Sequence, residues 1–211
     1  MRLAKEGRII VYPFTIINFG LIYLYHLELL QLAAIAITML LYFFCLNFFR
    51  DPVRSLPKSQ KIITSPADGK IIRIEKIMDD EIGDSKIISI FLNVFDVHVN
   101  RMPIKGKFIN IDYQKGRFLM AFKHDAADEN ERNIINISTE AGEIKIIQIA
   151  GLIARRIICY AKKNKHMNQG GRLGFMRFGS RIDIIVPDCV KLQIEVGQKV
   201  MGNNTIIGTF R

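Results

Sequence analysis

Two long apolar runs at the front of the chain constrain its fold more than any other feature. Residues 9–25 carry no charge over 17 positions, and residues 27–49 carry one, Glu28, over 23. As helices they would measure about 26 and 35 Å at ~1.5 Å per residue, against a bilayer hydrocarbon core of ~30 Å. The second run is therefore the transmembrane candidate. The first is marginal, and Pro13, Asn18 and Gly20 weaken it further. His26, Leu27 and Glu28 would form a short turn between them. Arg2, Lys5 and Arg8 precede the first run, and Arg50, Arg54 and Lys58 follow the second. Cations on both outer flanks predict a helical hairpin in the inner membrane with both ends in the cytoplasm. No small-residue cleavage site follows either run, which argues against a signal peptide. Nothing amphipathic in residues 40–49 supports a buried soluble hairpin.

After Arg50 the composition changes. Asp51, Pro52, Ser55 and Pro57 read as a linker, so residues 1–50 form the hydrophobic hairpin and residues 51–211 a separate domain. The net charge of the chain is +10, and most of the excess lies in this second part. A basic domain next to a membrane gains attraction to an anionic leaflet. Nucleic acid is the other usual partner of such charge, but no recognition helix, zinc knuckle or aromatic RNA-binding strand is present. The 3 cysteines, Cys45, Cys159 and Cys189, have no paired spacing. A disulfide scaffold and a structural metal site are thus not expected.

The second part reads as β structure. Short Ile-rich segments at 61–64, 70–76, 86–93, 106–113, 133–139, 143–150, 155–160, 181–186, 191–195 and 205–210 are separated by turn residues. Many alternate, as in Lys70-Ile71-Ile72-Arg73-Ile74-Glu75. The fold class expected is mainly β, a barrel- or sandwich-like domain behind an N-terminal helical membrane hairpin.

The chemistry centres on Gly179-Ser180, the one Gly-Ser dipeptide in the chain. Such a pair is ordinarily a turn. It is also suited to one self-processing reaction. The serine Oγ attacks the preceding carbonyl, glycine permits the strained backbone, and the N-to-O shift makes an ester. β-Elimination across the serine then splits the chain and leaves dehydroalanine, which hydrolyses to a pyruvoyl group. The hydroxyl needs a base and the oxyanion needs donors.

Four motifs appear in order: SPADG at 65–69, FLNVFDVHVNRMP at 91–103, NERN at 130–133 and GFMRFGSR at 174–181. Together they closely resemble the short, membrane-associated form of the phosphatidylserine decarboxylase proenzyme family, from about Arg50 to the C-terminus. The resemblance implies cleavage between Gly179 and Ser180. Ser180 becomes the pyruvoyl N-terminus of a small chain, 180–211, in a heterodimer with a large chain, 1–179. It implies a lyase that joins this pyruvoyl group to the headgroup amine of phosphatidylserine as a Schiff base. Carbon dioxide leaves and phosphatidylethanolamine is released, with no metal and no soluble cofactor. Asp68 matches the family's acid that supports self-cleavage, and His98 a catalytic histidine. The larger bacterial form has a second histidine three positions later, where this chain has Arg101. The resemblance therefore leaves open which residue activates Ser180. Arg177 and Arg101 are candidate ligands for a substrate phosphate or carboxylate.

Each residue also has a plainer explanation. Asp68 before Gly69 is an ordinary turn residue. As a strand, Asp96, His98 and Asn100 share one polar face, which is either solvated or a site. His124 and His166 look like solvated loop residues, and NERN like a surface turn with an Arg–Glu pair. The basic loop from Lys162 to Arg172 is either a solvated charge run or a contact for lipid phosphates. A carrier module is the rival function, since segments 62–74 and 196–209 resemble the paired hammerheads of biotinyl and lipoyl domains. It would need Lys70 or Lys199 at a hairpin tip. A processed but non-catalytic membrane protein is a third reading, and an archaetidylserine decarboxylase would look similar around the active site.

Overall fold

The computed structural model describes residues 2–28, 31–57, 59, 61–117, 129–151, 157–177 and 179–210. Lys58, His124, Phe178 and the start of the expected strand at 155–160 lie outside these. The chain divides into two compact units, residues 1–53 and 54–211.

The first unit is a helical hairpin, α1 (Lys5–His26) and α2 (Leu32–Phe48). The expected ranking of the two runs is reversed. α1 has 22 residues, about 33 Å, and is the helix long and apolar enough to cross a bilayer. α2 has 17 residues, about 26 Å. α1 gains length because it begins at Lys5, before the uncharged run, and continues through Pro13. Its polar residues are absorbed by the helix itself: Thr15 Oγ1 donates to Val11 O and Asn18 Nδ2 to Phe14 O, both at 2.8 Å. α2 is shorter than its apolar run because the helix starts only at Leu32, after an extended Gln31. Phe14 meets Tyr42 edge-on, and the hydroxyls of Thr15 and Tyr42 lie 2.9 Å apart. Leu3 forms an antiparallel bridge with Arg50, and Ala4 N donates to Phe49 O at 2.7 Å. Arg2 and Arg50, one from each flank of the hairpin, therefore lie at the same end of it. Ile9, Ile16, Leu40 and Phe43 stand exposed along it, as they would on a lipid-facing helix pair.

The named elements among the described residues of the second unit are strands. Its strands are β1 (Ile62–Thr64), β2 (Gly69–Asp79), β3 (Gly83–Leu92), β4 (Val99–Arg101), β5 (Gly106–Gln114), β6 (Arg132–Thr139), β7 (Gly142–Ile149), β8 (Ile157–Cys159), β9 (His166–Met167), β10 (Arg172–Met176), β11 (Ser180–Pro187), β12 (Lys191–Leu192), β13 (Lys199–Val200) and β14 (Ile206–Thr209). One curled eight-stranded sheet runs β13-β2-β3-β11-β7-β6-β5-β9, and two three-stranded sheets run β1-β14-β12 and β4-β10-β8. All the paired strands are antiparallel.

Alternation decides which side chains make the core. Ile88 and Ile90 of β3, Ile182 and Ile184 of β11, Ile144 and Ile146 of β7, and Ile135 and Ile137 of β6 fill one face of the large sheet. The opposite face of β11 carries a buried ion pair. Arg181 donates from Nε and Nη2 to the two oxygens of Asp183 at 2.7 and 2.8 Å, and from Nη2 to Ser89 Oγ at 2.9 Å. Burial pushes the Asp183 carboxyl up, and the Arg181 guanidinium only partly offsets this.

The two hammerhead-like segments lie side by side, with Lys199 opposite Lys70 and Val200 opposite Gly69. Lys70 is also the ladder partner of Phe91. Lysines held in a sheet in this way are not the projecting tip residues that a carrier needs, so the carrier reading is not favoured.

Candidate active site

Ser180 is the first residue of β11, paired with Leu92 at the end of β3. It points to the core face and is fully buried. Its Oγ makes no hydrogen bond among the described residues. A buried hydroxyl without a partner costs about 1–3 kcal/mol, so its position calls for a functional reason. Gly179 sits at φ +64°, in the left-handed region, and a Cβ there would meet nothing within 4 Å. Backbone conformation rather than crowding asks for glycine at this position. Crowding is found opposite: a Cβ on Gly151 would stand 1.6 Å from the Gly179 carbonyl oxygen and 2.8 Å from its carbon. The Gly151 backbone is thus pressed against the Gly179–Ser180 peptide.

The NERN stretch holds this cradle. Asn130 Nδ2 donates to Ala150 O at 2.8 Å, and Ala150 N donates to Glu131 O at 2.9 Å. Asn130 and Asn133 are buried, and Arg132 Nε donates to Gln114 Oε1 at 2.7 Å. The surface-turn reading of these residues is therefore corrected. The stretch fixes the residue immediately before Gly151.

His98 reaches the same end of the core through β4 and β10. Met176 N donates to His98 O at 3.2 Å, shortly before the Gly179–Ser180 pair. The turn ahead of it is locked by Asn93 and Asp96, since Phe95 N donates to Asn93 Oδ1 at 2.8 Å and Asn93 N to Asp96 Oδ2 at 2.9 Å. His98 is fully buried, and its Nδ1 lies 2.9 Å from Asp96 O. A carbonyl oxygen only accepts, so Nδ1 carries hydrogen and Nε2 is the atom that gains or loses a proton. Of the polar face expected from the sequence, His98 and Asn100 are buried while Asp96 serves the turn.

Asp68 is buried and held by Arg54, whose Nη2 donates to Oδ2 at 2.7 Å while Nη1 pairs with Oδ1. Gly202 N also donates to Oδ1, at 2.8 Å. Arg54, read from the sequence as a membrane-flanking cation in a linker, is in fact the partner of this carboxylate. Lys70 and Arg181 both pair with Phe91, so β3 runs between the Asp68 turn and Ser180. Two strand spacings separate their backbones, about 10 Å. No hydrogen bond joins Asp68 to Ser180 among the described residues.

Arg101 N donates to Pro66 O at 2.8 Å and its Nη1 to Gly170 O at 3.3 Å, which ties the HVNR and SPADG segments together. Arg177 is half-buried just before the Gly179–Ser180 peptide, and its Nε makes no hydrogen bond among the described residues. His166 is exposed on β9 opposite Lys107, the solvated position expected of it.

A family model described as phosphatidylserine decarboxylase matches residues 41–208 of this chain. The chain belongs to the phosphatidylserine decarboxylase family. A phosphatidylserine decarboxylase proenzyme of Syntrophus aciditrophicus is 45% identical over 99% of this chain and 97% of its own length. Proteins of the same name from Chlorobaculum parvum and Wolbachia pipientis wMel are 43% and 45% identical over 83% and 79% of this chain, and 83% and 75% of their own lengths. Membership places the Gly179–Ser180 peptide, with its cradle and its unbonded hydroxyl, in a family of decarboxylase proenzymes.

Proposed function

We propose that Ser180 becomes the pyruvoyl group with which this member of the family decarboxylates phosphatidylserine to phosphatidylethanolamine. The observation that carries the reading is the buried Ser180 Oγ, unbonded among the described residues, beside a left-handed Gly179 whose carbonyl the Gly151 backbone closely approaches. Oγ attacks the Gly179 carbonyl carbon and the peptide nitrogen is released, giving an ester. A base then removes the Ser180 Cα proton, and the Gly179 carboxylate departs as a new chain end. Water replaces the enamine nitrogen, ammonia leaves, and residues 1–179 and 180–211 remain as a heterodimer. The pyruvoyl group supplies a ketone that condenses with the headgroup amine and accepts the electron pair as carbon dioxide leaves. His98 Nε2 supplies the proton to the substrate carbon, with Nδ1 anchored on Asp96 so that the ring presents one fixed atom.

Asp68 supports cleavage. Its contacts with Arg54 and Gly202 point to a carboxylate that fixes the mouth of β2, or that must exchange Arg54 for Ser180 in order to act as base. A cleavage gel paired with carbon dioxide release from labelled phosphatidylserine tests both residues. Asp68→Asn should block or slow cleavage. His98→Ala should still cleave, at least in part, yet lose about 10²- to 10⁴-fold in decarboxylation, the usual contribution of a positioned acid. Normal turnover by fully cleaved His98→Ala protein would remove His98 from the mechanism.

The hairpin anchors the domain in the inner membrane with both ends on the cytoplasmic side. In support, Arg2 and Arg50 lie at one end of the hairpin and its helices expose apolar side chains. Deleting residues 1–49 should raise solubility and leave cleavage intact, since the residues described around Ser180 all belong to the second unit. A soluble, folded truncation that never cleaves would make the hairpin part of the catalytic unit.

A further inference from the structure

Next to Ser180, the core face of the large sheet ends in amides rather than in apolar side chains. Asn133 Nδ2 on β6 donates to Gln148 Oε1 on β7 at 3.1 Å, and Gln148 Nε2 donates to Asn100 Oδ1 on β4 at 2.8 Å. All three are buried, Gln148 and Asn100 completely. Each donor along the chain is matched to the next oxygen, so the group left over is Asn100 Nδ2. It is buried and makes no hydrogen bond among the described residues. The fold makes room for this arrangement. Gly174, the ladder partner of Asn100, carries no side chain, and a Cβ there would stand 2.7 Å from Gln148 Nε2. A buried donor kept without an acceptor is destabilising, and its acceptor is then expected to arrive with a ligand.

Register says where that ligand lies. Gln148 is directly opposite Ile182, and Ser180 precedes Ile182 by two residues on the same face of β11. Asn100 is two residues beyond His98. The free donor thus belongs to the end of the core that holds both Ser180 and His98.

We propose that Asn100 binds the carboxylate of the phosphatidylserine headgroup through Nδ2, with Gln148 and Asn133 as the residues that position it. The proposal rests on the decarboxylase reading above and adds the residue that recognises the group to be lost. A neutral donor suits the reaction. The carboxylate leaves as neutral carbon dioxide, so a cation would stabilise the starting anion more than the transition state and slow the step. The buried charged side chains described in this unit are engaged elsewhere: Asp68 with Arg54, and Arg181 with Asp183 on the opposite face of β11. The amide chain orients the carboxylate without a full opposing charge.

The test compares cleaved wild-type, Asn100→Ala and Asn100→Asp proteins in mixed micelles. Phosphatidylserine is the substrate, and phosphatidylethanolamine, which lacks the carboxylate, is the competing inhibitor. Both variants should cleave. KM for phosphatidylserine should rise about 10- to 100-fold, the loss of one hydrogen bond to a charged group, and more for Asn100→Asp, which adds an anion. Inhibition by phosphatidylethanolamine should change less than about twofold. An unchanged KM would overturn the proposal, and so would an equal weakening of phosphatidylethanolamine, which marks general damage to the pocket. Failure of both variants to cleave would overturn it too, since Asn100 would then belong to processing. Wild-type protein that cleaves but releases no carbon dioxide would instead defeat the decarboxylase reading, and this proposal with it.

Discussion

Ser180→Ala protein is expected to remain one chain of 24.2 kDa, while the wild type yields residues 1–179 and 180–211. The substitution removes the attacking oxygen and no contact that the fold uses, because Ser180 Oγ has no hydrogen-bond partner among the described residues. Removing an unsatisfied buried hydroxyl is neutral or stabilising, so the uncut protein should melt no lower than an uncut wild-type precursor. That separates loss of chemistry from loss of structure. A denaturing gel and intact mass read the outcome, and the smaller wild-type piece should lack a free amino group. Cleavage of the alanine variant at the same peptide would place the nucleophile elsewhere.

Gly151→Ala should slow cleavage by about 100-fold or more. Its new Cβ would stand 1.6 Å from the Gly179 oxygen, less than half an ordinary contact distance, so one of the two backbones must move by more than 1 Å. A misplacement of 1 Å at a reacting centre costs about 10²-fold. The carbonyl displaced here is the one that Ser180 attacks. The time course of cleavage after synthesis measures the effect, with circular dichroism to confirm the β domain. A folded variant that cleaves at the wild-type rate would show that the close approach has no part in processing.

The segments with strict alternation were legible as strands to within a few residues. Residues 70–76 lie within β2 (Gly69–Asp79), and residues 181–186 within β11 (Ser180–Pro187). β9 and β13 have two residues each and carry no pattern of their own; their partners define them. β4 lies inside one motif segment and β10 runs into another, where glycine and polar residues mask the period. At the site, Gly179, Ser180 and His98 could be singled out because their chemistry and the motif order are local. Arg54 could not, because an arginine between prolines looks like a flank until the fold brings Asp68 to it. Gly151 and Gln148 also went unnoticed. Their significance lies in what stands across the sheet, and a glycine at a strand end or an amide among isoleucines gives little local sign of it.

The position of β11 has a consequence for how such a protein can be made. It lies between β3 and β7, paired with β3 at eight positions and with β7 at five. The piece that begins at Ser180 is therefore an interior plank of the sheet and not a removable edge. If it were synthesised from a separate gene, it would have to enter a ladder whose two neighbouring strands had no reason to stand apart. Continuous synthesis avoids this, because the link to β10 delivers the strand to its slot before the proposed cut is made. If the chain is cut there as proposed, the new chain end is born already enclosed by the sheet, and a pyruvoyl carbonyl at that end would be shielded from stray amines in the surrounding solution from the moment it forms.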